Sequence, residues 1–236
     1  MGQGLAVLLI ILVAAFLWGN LSRNLEDKGI ELGFDFLRSQ ASFEIGEKPI
    51  NYSPADSYSL ALLVGLLNSL RVMVAGIILT TIVGITVGVA RLSDNWLVRN
   101  LALVYVETFR NTPLLVQLLF WYLAVFVSLT KVEGNIEFLG FINLSNNGLE
   151  LPFVKLSPEF SALLAGLTFY TGAFIAEIVR AGIQSVPKGQ WEAARSLGLK
   201  PNLILRLVVF PQALRVMIPP LTSQYLNLAK NYARTF

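Results

Sequence analysis

The stretch VMVAGIILTTIVGITVGVA, residues 72–90, contains no charged residue and lies between Arg71 and Arg91. As an α-helix it would be about 28 Å long, which is close to the roughly 30 Å thickness of the bilayer hydrocarbon. A charge at the bilayer centre is costly, so both arginines are expected at the membrane surfaces. This stretch therefore predicts a transmembrane helix. The mostly apolar residues 60–70 before it either lie along the outer surface or extend the same helix.

The composition of the whole chain agrees with a membrane protein. Its 236 residues are 55% hydrophobic and 14% charged, and the mean hydropathy is +0.63, whereas soluble domains carry about 25% charged residues. The charges are clustered and leave four further apolar runs, at 5–18, 114–129, 160–179 and 207–228. We therefore predict an all-α, multi-pass bundle of membrane helices.

Two of the predicted spans have distinctive starts. Residues 5–18 have no basic region before them and no clear cleavage site after them, which predicts an uncleaved first span; a signal anchor trimmed at its start is the alternative. Residues 96–110 are amphipathic. They are expected to form an interfacial helix that leads into the next crossing, with Pro113 near the first turn of that crossing.

Two residue pairs inside the later spans carry further predictions. Pro219 and Pro220 would kink their helix and free backbone carbonyls, which favours a helix packed inside the bundle. Glu177 and Arg180 lie three residues apart, so a local ion pair on one helix face is expected at the inner membrane boundary.

The basic residues predict the orientation of the chain. Segments 91–110 and 180–206 together hold eight arginines and lysines, whereas the longer segments 21–59 and 131–159 have sparser basic residues. The positive-inside rule places the first two segments in the cytoplasm. With one span before residue 60 and four after it, the N-terminus is then also cytoplasmic.

The residue types argue against an enzyme. The chain has no cysteine and no histidine, which excludes disulfides, thiol catalysis and the Ser-His-Asp triad, and removes the ligands of most zinc and haem sites. We therefore predict no catalytic residue, no metal site and no cofactor.

A short charged stretch, GQWEAARSLGLKP at 189–201, interrupts the last two apolar runs. Its EAAR segment consists of good helix formers. Trp191, Ala194 and Leu197 recur every three residues, so they are expected to share one apolar face.

The end of this short helix is also readable. Gly198 suits the left-handed conformation that ends a helix, and Pro201 prevents regrowth. A helix of about two turns is unstable alone, so either the bundle or the cleft of a partner must hold it. Ala193 and Ala194 would allow another surface to approach closely. An ordinary amphipathic loop on the lipid headgroups is the alternative.

The same stretch resembles the EAA signature of permease subunits in ATP-binding-cassette importers. That signature reads E-A-A-x-x-x-G, nine residues, then I-x-L-P. This chain has EAA at 192–194, Gly198 and, nine residues later, VVFP at 208–211. Val208 and Phe210 depart from the usual Ile and Leu but keep the apolar character.

Longer blocks extend the resemblance over residues 65–231. FRNTPLLVQLLFWY at 109–122, YTGAFIAEIVRAGIQSVPKGQ at 170–190 and PQALRVMIPPL at 211–221 resemble the polar amino-acid permease branch. The extra first span and the acidic outer loop resemble the longer, broad-specificity members of that branch.

The resemblance implies the type I importer permease fold in a bacterial inner membrane and a mechanism. In such importers the EAA loop is a coupling helix seated in a cytoplasmic ATPase, and ATP-driven closure of two ATPase subunits switches the bundle from inward-open to outward-open. The implied partners are these ATPases, a sister permease in a homo- or heterodimer, an external amino-acid-binding protein and the lipid bilayer, with no nucleic acid. The chain has no G-x-x-x-x-G-K-[ST] phosphate loop, so the energy source must be another chain.

The resemblance also implies which residues couple the chain to the ATPase. They are Gly189, Trp191, Glu192, Ala193, Ala194, Leu197 and Gly198. Glu192 would either cap the start of the helix or pair with a basic group of the ATPase, or it is a surface acid favoured by the helix dipole.

Polar residues within or beside the spans are candidates for the transport path. Intramembrane polar groups tend to face the bundle interior, and an amino acid suits a cationic or amide-rich lining. Hydrogen bonding between helices is the competing explanation for each of them. The candidates are Asn111, Gln117, Gln212, Arg215, Gln224 and Asn227.

The C-terminal residues depart from the family pattern. The family continues past Leu-Lys-Asn with another span, whereas this chain reads NLAKNYARTF and stops. The predicted domains are 1–59, the first span plus outer loop; 60–231, the permease domain without its final span; and 232–236, a tail unlike the family. We expect such a truncated chain not to support transport, and amino-acid uptake by a complex containing only this form would contradict that expectation.

Three other functions would require features of the sequence that differ from these. A secondary amino-acid transporter would show inverted repeats with broken spans in matching positions, and no such repeat is visible. A membrane scaffold or sensor would need a soluble signalling domain. A membrane enzyme would need clustered catalytic groups within the membrane. The substrate itself is not readable from the residues.

Overall fold

The structure is a computed structural model that describes residues 2–29, 33–129, 136–138, 142–145, 148–152 and 154–233. Most of these residues are helical. The α-helices are α1 (Gly2–Asp27), α2 (Tyr58–Ala90), α3 (Trp96–Asn111), α4 (Leu114–Leu119), α5 (Pro158–Gln184), α6 (Lys188–Ser196), α7 (Pro201–Ile204) and α8 (Phe210–Ala233), with a 3-10 helix at Asp35–Arg38 and π-helices at Phe120–Leu129 and Leu205–Val209.

The chain divides into two compact units. The first comprises Met1–Phe43 and Ser53–Leu62, and the second comprises Glu44–Tyr52 and Leu63–Phe236. In the first unit, α1 has a mean hydropathy of 2.4 in its most apolar window, and 0% of that window is buried. A helix that is this apolar and is not covered by the rest of the chain needs an apolar environment, which a bilayer supplies.

Four helices in the described part of the chain are long and apolar enough to cross a membrane. They are Gly2–Asp27, Tyr58–Ala90, Pro158–Gln184 and the continuous helical stretch Pro201–Tyr232, and the bent pair Trp96–Asn111 with Leu114–Ser128 is a fifth candidate if it counts as one span. All five apolar runs predicted from the sequence fall in these helices. Residues 60–70 extend α2, as one of the two alternatives predicted.

The bend between α3 and α4 has a local cause. Asn95 starts α3 by accepting hydrogen bonds from the backbone N–H groups of Leu97 and Val98 at 2.9 and 3.3 Å. The helix ends at Asn111 because Pro113 excludes the helical conformation from the residue before it; Thr112 is extended, with φ −98° and ψ 129°. Pro113 itself is the N-cap of α4, and the two helix axes differ in direction by 107°.

Close packing of α2 against α5 organises the second unit. A Cβ atom on Gly88 would lie 2.7 Å from the carbonyl oxygen of Ala176 and 2.8 Å from Cβ of Val179, and one on Gly84 would overlap Ile175. On α5, a Cβ atom on Gly172 would lie 3.0 Å from a methyl group of Val83. Because lipid tails are as apolar as the side chains, membrane helices associate through such close contact between small residues.

An ion pair holds α2 near its middle, at Arg71, where the uncharged segment 72–90 begins. Arg71 Nη1 lies 3.0 Å from Glu47 Oε1, and its guanidinium carbon lies 5.4 Å from the centre of the Phe160 ring. The second oxygen of Glu47 accepts the backbone N–H of Ser157 at 2.9 Å, immediately before α5. Arg71 therefore has a counter-charge, as a residue at the edge of a span requires.

A small sheet accompanies the helices and was not predicted. Strands β1 (Ile136–Phe138), β2 (Ile142–Ser145), β3 (Gly148–Leu151) and β4 (Val154–Leu156) form an antiparallel meander in the order β1-β2-β3-β4. The sequence indicated only a polar block over 131–159. Residues 130–135, 139–141, 146–147 and 153 of this region lie outside the described residues.

The described residues of this chain do not enclose the paired prolines as expected. Pro219 and Pro220 are both exposed, and 22% of the most apolar window of this span is buried. The buried residues of α8 are Ala213, Met217, Leu228 and Tyr232. They follow a helical stripe, and the prolines lie off that stripe.

We predict that Gly88→Ala destabilises the chain, because the new Cβ atom would press against backbone, which cannot move aside. Overpacking of this kind costs about 1–3 kcal/mol, equivalent to a fall of roughly 2–12 °C in the thermal unfolding midpoint. Gly65→Ala is the matched control in the same helix, since a Cβ atom there meets nothing within 4 Å. Equal unfolding midpoints of the two variants in detergent would contradict the packing described.

Candidate functional site

The charged stretch at 189–201 contains a helix, α6, that starts at Lys188 and ends at Ser196. Gly198 follows with φ +73°, so it has the left-handed conformation that was predicted. Its N–H donates to Arg195 O at 2.9 Å, and the N–H of Leu199 donates to Ala194 O at 3.3 Å, which satisfies carbonyls at the end of the helix. Pro201 then occupies the first turn of α7.

One side of α6 is anchored in the core of the chain itself. Ala194 is 3% exposed and belongs to a buried cluster with Val179 and Ile183 of α5 and with Ile204 and Val209. The partly buried Trp191 packs against the same cluster. The bundle therefore holds this short helix, which was one of the two alternatives predicted.

The structure corrects three expectations about this helix. Leu197 does not share the apolar face of Trp191 and Ala194: it lies just past the helix end and is 80% exposed. Ala194 does not offer a surface to another molecule, because this chain covers it; only Ala193 is exposed. Glu192 does not cap the helix, whose N-cap position is Pro187 without a side-chain hydrogen bond.

Besides Leu197, four of the predicted coupling residues are exposed: Gly189, Glu192, Ala193 and Gly198. A Cβ atom on Gly189 would meet nothing within 4 Å. Helix α6 thus has one buried side and one open side. The open side presents a carboxylate beside small residues.

The candidate path residues do not form one group. Asn111 is exposed and donates to Glu107 at 3.1 Å. Gln117 is 5% exposed, and its amide nitrogen donates to the carbonyl oxygens of Phe109 and Thr112 at 2.8 and 3.0 Å. Gln117 therefore closes the bend between α3 and α4, so for this residue the competing explanation, hydrogen bonding that holds helices together, is favoured.

Two further path candidates lie elsewhere. Gln212 donates to Val208 O at 3.0 Å and to Gln190 Oε1 of α6 at 3.3 Å, so it connects α8 with the charged helix. Arg215 is exposed on α8. Neither residue lies with the remaining two candidates.

Gln224 and Asn227 do share a site. They line a polar cleft of about 420 Å³ between α5 and α8, which begins near the midpoint of α5. The other lining residues are Tyr170, Thr171, Phe174, Leu228, Lys230 and Asn231. Amide, hydroxyl, aromatic and ammonium groups therefore converge on one volume, which is within the range of about 300–1,000 Å³ that is typical of ligand pockets.

The predicted ion pair Glu177–Arg180 is present, and a second arginine joins it. Arg180 Nε donates to both carboxylate oxygens of Glu177, at 3.1 and 3.2 Å. Arg91, directly after α2, also pairs with this carboxylate. The Glu177 carboxylate therefore links the end of α2 to α5, and it also links two neighbouring turns of α5.

Sequence reasoning missed Lys230 and the close contact of α2 with α5. The contact had a readable signal, because Gly84 and Gly88 have the small-xxx-small spacing of membrane helix interfaces. Lys230 follows the last apolar run by two residues, and nothing in the sequence connects it with Tyr170 and Thr171. Only the packing of α8 against α5 brings them together.

Comparisons with known proteins agree with this architecture. Residues 76–234 match the model of the family "binding-protein-dependent transport system inner membrane component". The chain is 38% identical to the general L-amino acid transport system permease protein AapQ of Rhizobium johnstonii, over 95% of this chain and 77% of the relative. It is 37% identical to the putative amino-acid ABC transporter permease protein YhdX of Escherichia coli, over 97% and 78%.

Solved structures share the fold. A chain in the crystal structure of an amino acid ABC transporter with histidines matches with a TM-score of 0.57 and 30% identity, over 75% of this chain and 71% of that chain. A chain of the MetNI methionine ABC transporter in an inward-facing conformation matches with a TM-score of 0.53 and 21% identity, over 73% and 71%.

The fold and the relatives define a helical membrane permease. The chain belongs to the family of binding-protein-dependent transport system inner membrane components. The predicted resemblance to ABC importer permeases and the predicted bundle of the type I kind are both confirmed.

We predict that Gly198→Ala loosens the end of α6, because a Cβ atom at positive φ costs roughly 1–2 kcal/mol. Amide hydrogen exchange over residues 190–204 should accelerate about 5- to 30-fold. Gly198→Asn should have a smaller effect, since asparagine tolerates this conformation. Gly189→Ala is the matched control in the same helix, and equal exchange rates in the two alanine variants would contradict the role of Gly198.

Proposed function

We propose that this chain is the membrane-spanning permease subunit of an ATP-driven importer of amino acids. The relatives and the solved structure with 30% identity are named as amino-acid transport proteins, which supports the substrate class. The observation that carries the coupling mechanism is the two-sided α6: its Ala194 side is anchored in the core, and its Glu192–Ala193 side is open. Such a helix can receive a push from outside and pass it to the bundle.

The orientation follows from the charges. The segments at 91–110 and 180–206 carry the higher density of basic residues, so the positive-inside rule assigns them, α6 and the N-terminus to the cytoplasm of a bacterial inner membrane. The sheet β1–β4 and residues 33–57 then lie outside. A cytoplasmic α6 is accessible to an ATPase.

The partners follow from what this chain lacks and what it exposes. It has no phosphate-binding loop of the G-x-x-x-x-G-K-[ST] type, so ATP is bound by separate cytoplasmic subunits. The family name includes a binding protein, which would deliver the amino acid from outside. A sister permease completes the membrane unit as a homo- or heterodimer.

In this mechanism α6 transmits the motion of the ATPase. A helix of two to three turns is not stable alone. Here Ala194 and Trp191 pack α6 against the core, and the left-handed Gly198 sets the direction in which the chain leaves the helix. When two ATPase subunits close on ATP, the open side of α6 moves with them. The anchored side carries α5 and α8 along, and access to the cleft between these two helices changes sides.

A crosslinking experiment tests the contact. The chain has no cysteine, so a single cysteine introduced with Ala193→Cys is unique in it. A short thiol-to-amine crosslinker at this position should capture the ATPase subunit in membranes. Lys155→Cys on β4 is the matched control, because its side chain is 79% exposed but is assigned to the opposite membrane side. No capture from Ala193→Cys, or equal capture from both positions, would contradict the proposed contact.

The polar cleft is the proposed site through which the amino acid passes. Lys230 is the cationic side chain among the described lining residues and suits the substrate carboxylate. The amides of Gln224 and Asn227 can bond the carboxylate or the ammonium group, since an amide both donates and accepts. These two residues were predicted for the path, and the other four candidates are not among the residues that line this cleft.

Removing the charge of Lys230 tests the cleft. In the full-length permease assembled with its partners, Lys230→Gln should raise the KM of amino-acid uptake roughly 10- to 100-fold, since a hydrogen bond to a charged group contributes about 1.5–3 kcal/mol. Lys155→Gln is the matched control outside the cleft and should leave KM unchanged. An unchanged KM in Lys230→Gln would exclude this residue from substrate binding.

A further inference from the structure

We propose that Glu177 is a positioning residue. It holds the end of α2, helix α5 and the buried cluster around Ala194 of α6 together, so that they move as one rigid body. This inference rests on the proposed function, because it concerns how motion of α6 reaches the membrane helices. It assigns a role in coupling to a residue that is not part of α6 and is not among the lining residues of the polar cleft.

Both oxygens of the Glu177 carboxylate are engaged by two arginines. Arg180, one turn later on α5, donates from Nε to both oxygens at 3.1 and 3.2 Å. Arg91 pairs with Glu177 Oε2 from the turn that follows α2. Arg180 also donates to Gln184. One carboxylate thus connects α2 to the last two turns of α5.

The environment makes this connection stronger than an ordinary surface ion pair. The side chains of Arg91, Glu177 and Arg180 are 14%, 23% and 26% exposed, so water and salt screen them less than free surface charges. Without the carboxylate, two guanidinium groups would remain close together and repel. Glu177 therefore both holds the two helices together and prevents that repulsion.

The turn that carries Arg91 also contacts the buried cluster that holds α6. Leu92 packs against the buried cluster that contains Ala194. Leu92, Ser93 and Asp94 also line a cleft of about 970 Å³ together with Trp191 and Arg195 of α6. The chain of contacts from α6 to the end of α2 is thus continuous, and the charge cluster holds the turn in place.

The helix packing beside Arg91, Glu177 and Arg180 also holds α2 and α5 together. Gly88 of α2 lies against Ala176 and Val179 of α5. Ala176 directly precedes Glu177 in the chain, and Val179 belongs to the buried cluster that holds α6. Close packing resists sliding of α2 along α5, and the ion pairs resist separation of their ends. A displacement of α6 should therefore move α2 and α5 together rather than deform the turn at 91–95.

The test measures coupling rather than activity alone. In proteoliposomes with the full-length permease and its partners, we would count ATP molecules hydrolysed per amino acid imported. Glu177→Gln should raise this ratio about tenfold, within the range of typical coupling energies, while ATPase capture from Ala193→Cys persists. Glu150→Gln is the matched control, since it removes an acid from the Glu150–Lys155 ion pair on the sheet, and it should keep the wild-type ratio.

Two charge exchanges separate the link between helices from the link within α5. The double variant Arg91→Glu/Glu177→Arg recreates an attractive pair between α2 and α5 and should lower the ratio back towards the wild-type value. The double variant Arg180→Glu/Glu177→Arg recreates a pair within α5 only, and it should not restore coupling. Rescue by the second exchange and not by the first would overturn the inference.

The outcomes for this inference and for the proposed function differ. If the wild-type complex shows no ATP-driven uptake, the proposed function fails and the inference with it. If wild-type uptake is coupled and Glu177→Gln is equally coupled, only the inference fails. If Glu177→Gln does not assemble, spin labels on Ser93→Cys and Ala193→Cys in the purified chain decide: the distance distribution between them should broaden in the variant, and an unchanged distribution would overturn the inference.

Discussion

The close contact of α2 with α5 is the constraint on which the second unit of this permease depends. In a bilayer, apolar side chains gain little by leaving lipid for protein, so helices must fit closely to stay together. Gly84 and Gly88 provide that fit because no side chain separates the backbones. Ion pairs hold α2 beyond both ends of its apolar segment, Arg71 with Glu47 and Arg91 with Glu177. The interval from Arg71 to Arg91 is about 30 Å along a helix, so the charges lie where the hydrocarbon ends.

Helix α5 positions both the polar cleft and helix α6. One part of it packs against α8 beside the polar cleft, and its last turns contribute Val179 and Ile183 to the cluster that holds α6. A nine-residue helix has too few hydrogen bonds to be stable alone, and here tertiary packing of Ala194 and Trp191 replaces that missing stability. Anchoring one side also decides which residues of α6 stay exposed, among them Gly189, Glu192 and Ala193.

The sequence was sufficient for the features that depend on local chemistry. Apolar length predicted the spans, the amphipathic residues 96–110 predicted a separate helix before the crossing that starts near Pro113, and Gly198 was predicted to be left-handed and is. It was insufficient where long-range packing decides. Spacing alone assigned Leu197 to the apolar face, but the helix ends before it. Gln117 looked like a path residue, yet its amide closes the bend between two helices. The strands β1–β4 are three or four residues long, too short to give a clear alternation.

In the proposed mechanism, a nucleotide-consuming partner drives the bundle through α6, and an ion gradient does not. The most direct measurement is amino-acid uptake into proteoliposomes that contain the full-length permease with its partners, with ATP and ionophores varied independently. We predict that uptake requires ATP on the side of α6 and persists when proton and sodium gradients are dissipated. Uptake that proceeds without ATP and stops on dissipation of a gradient would contradict the account.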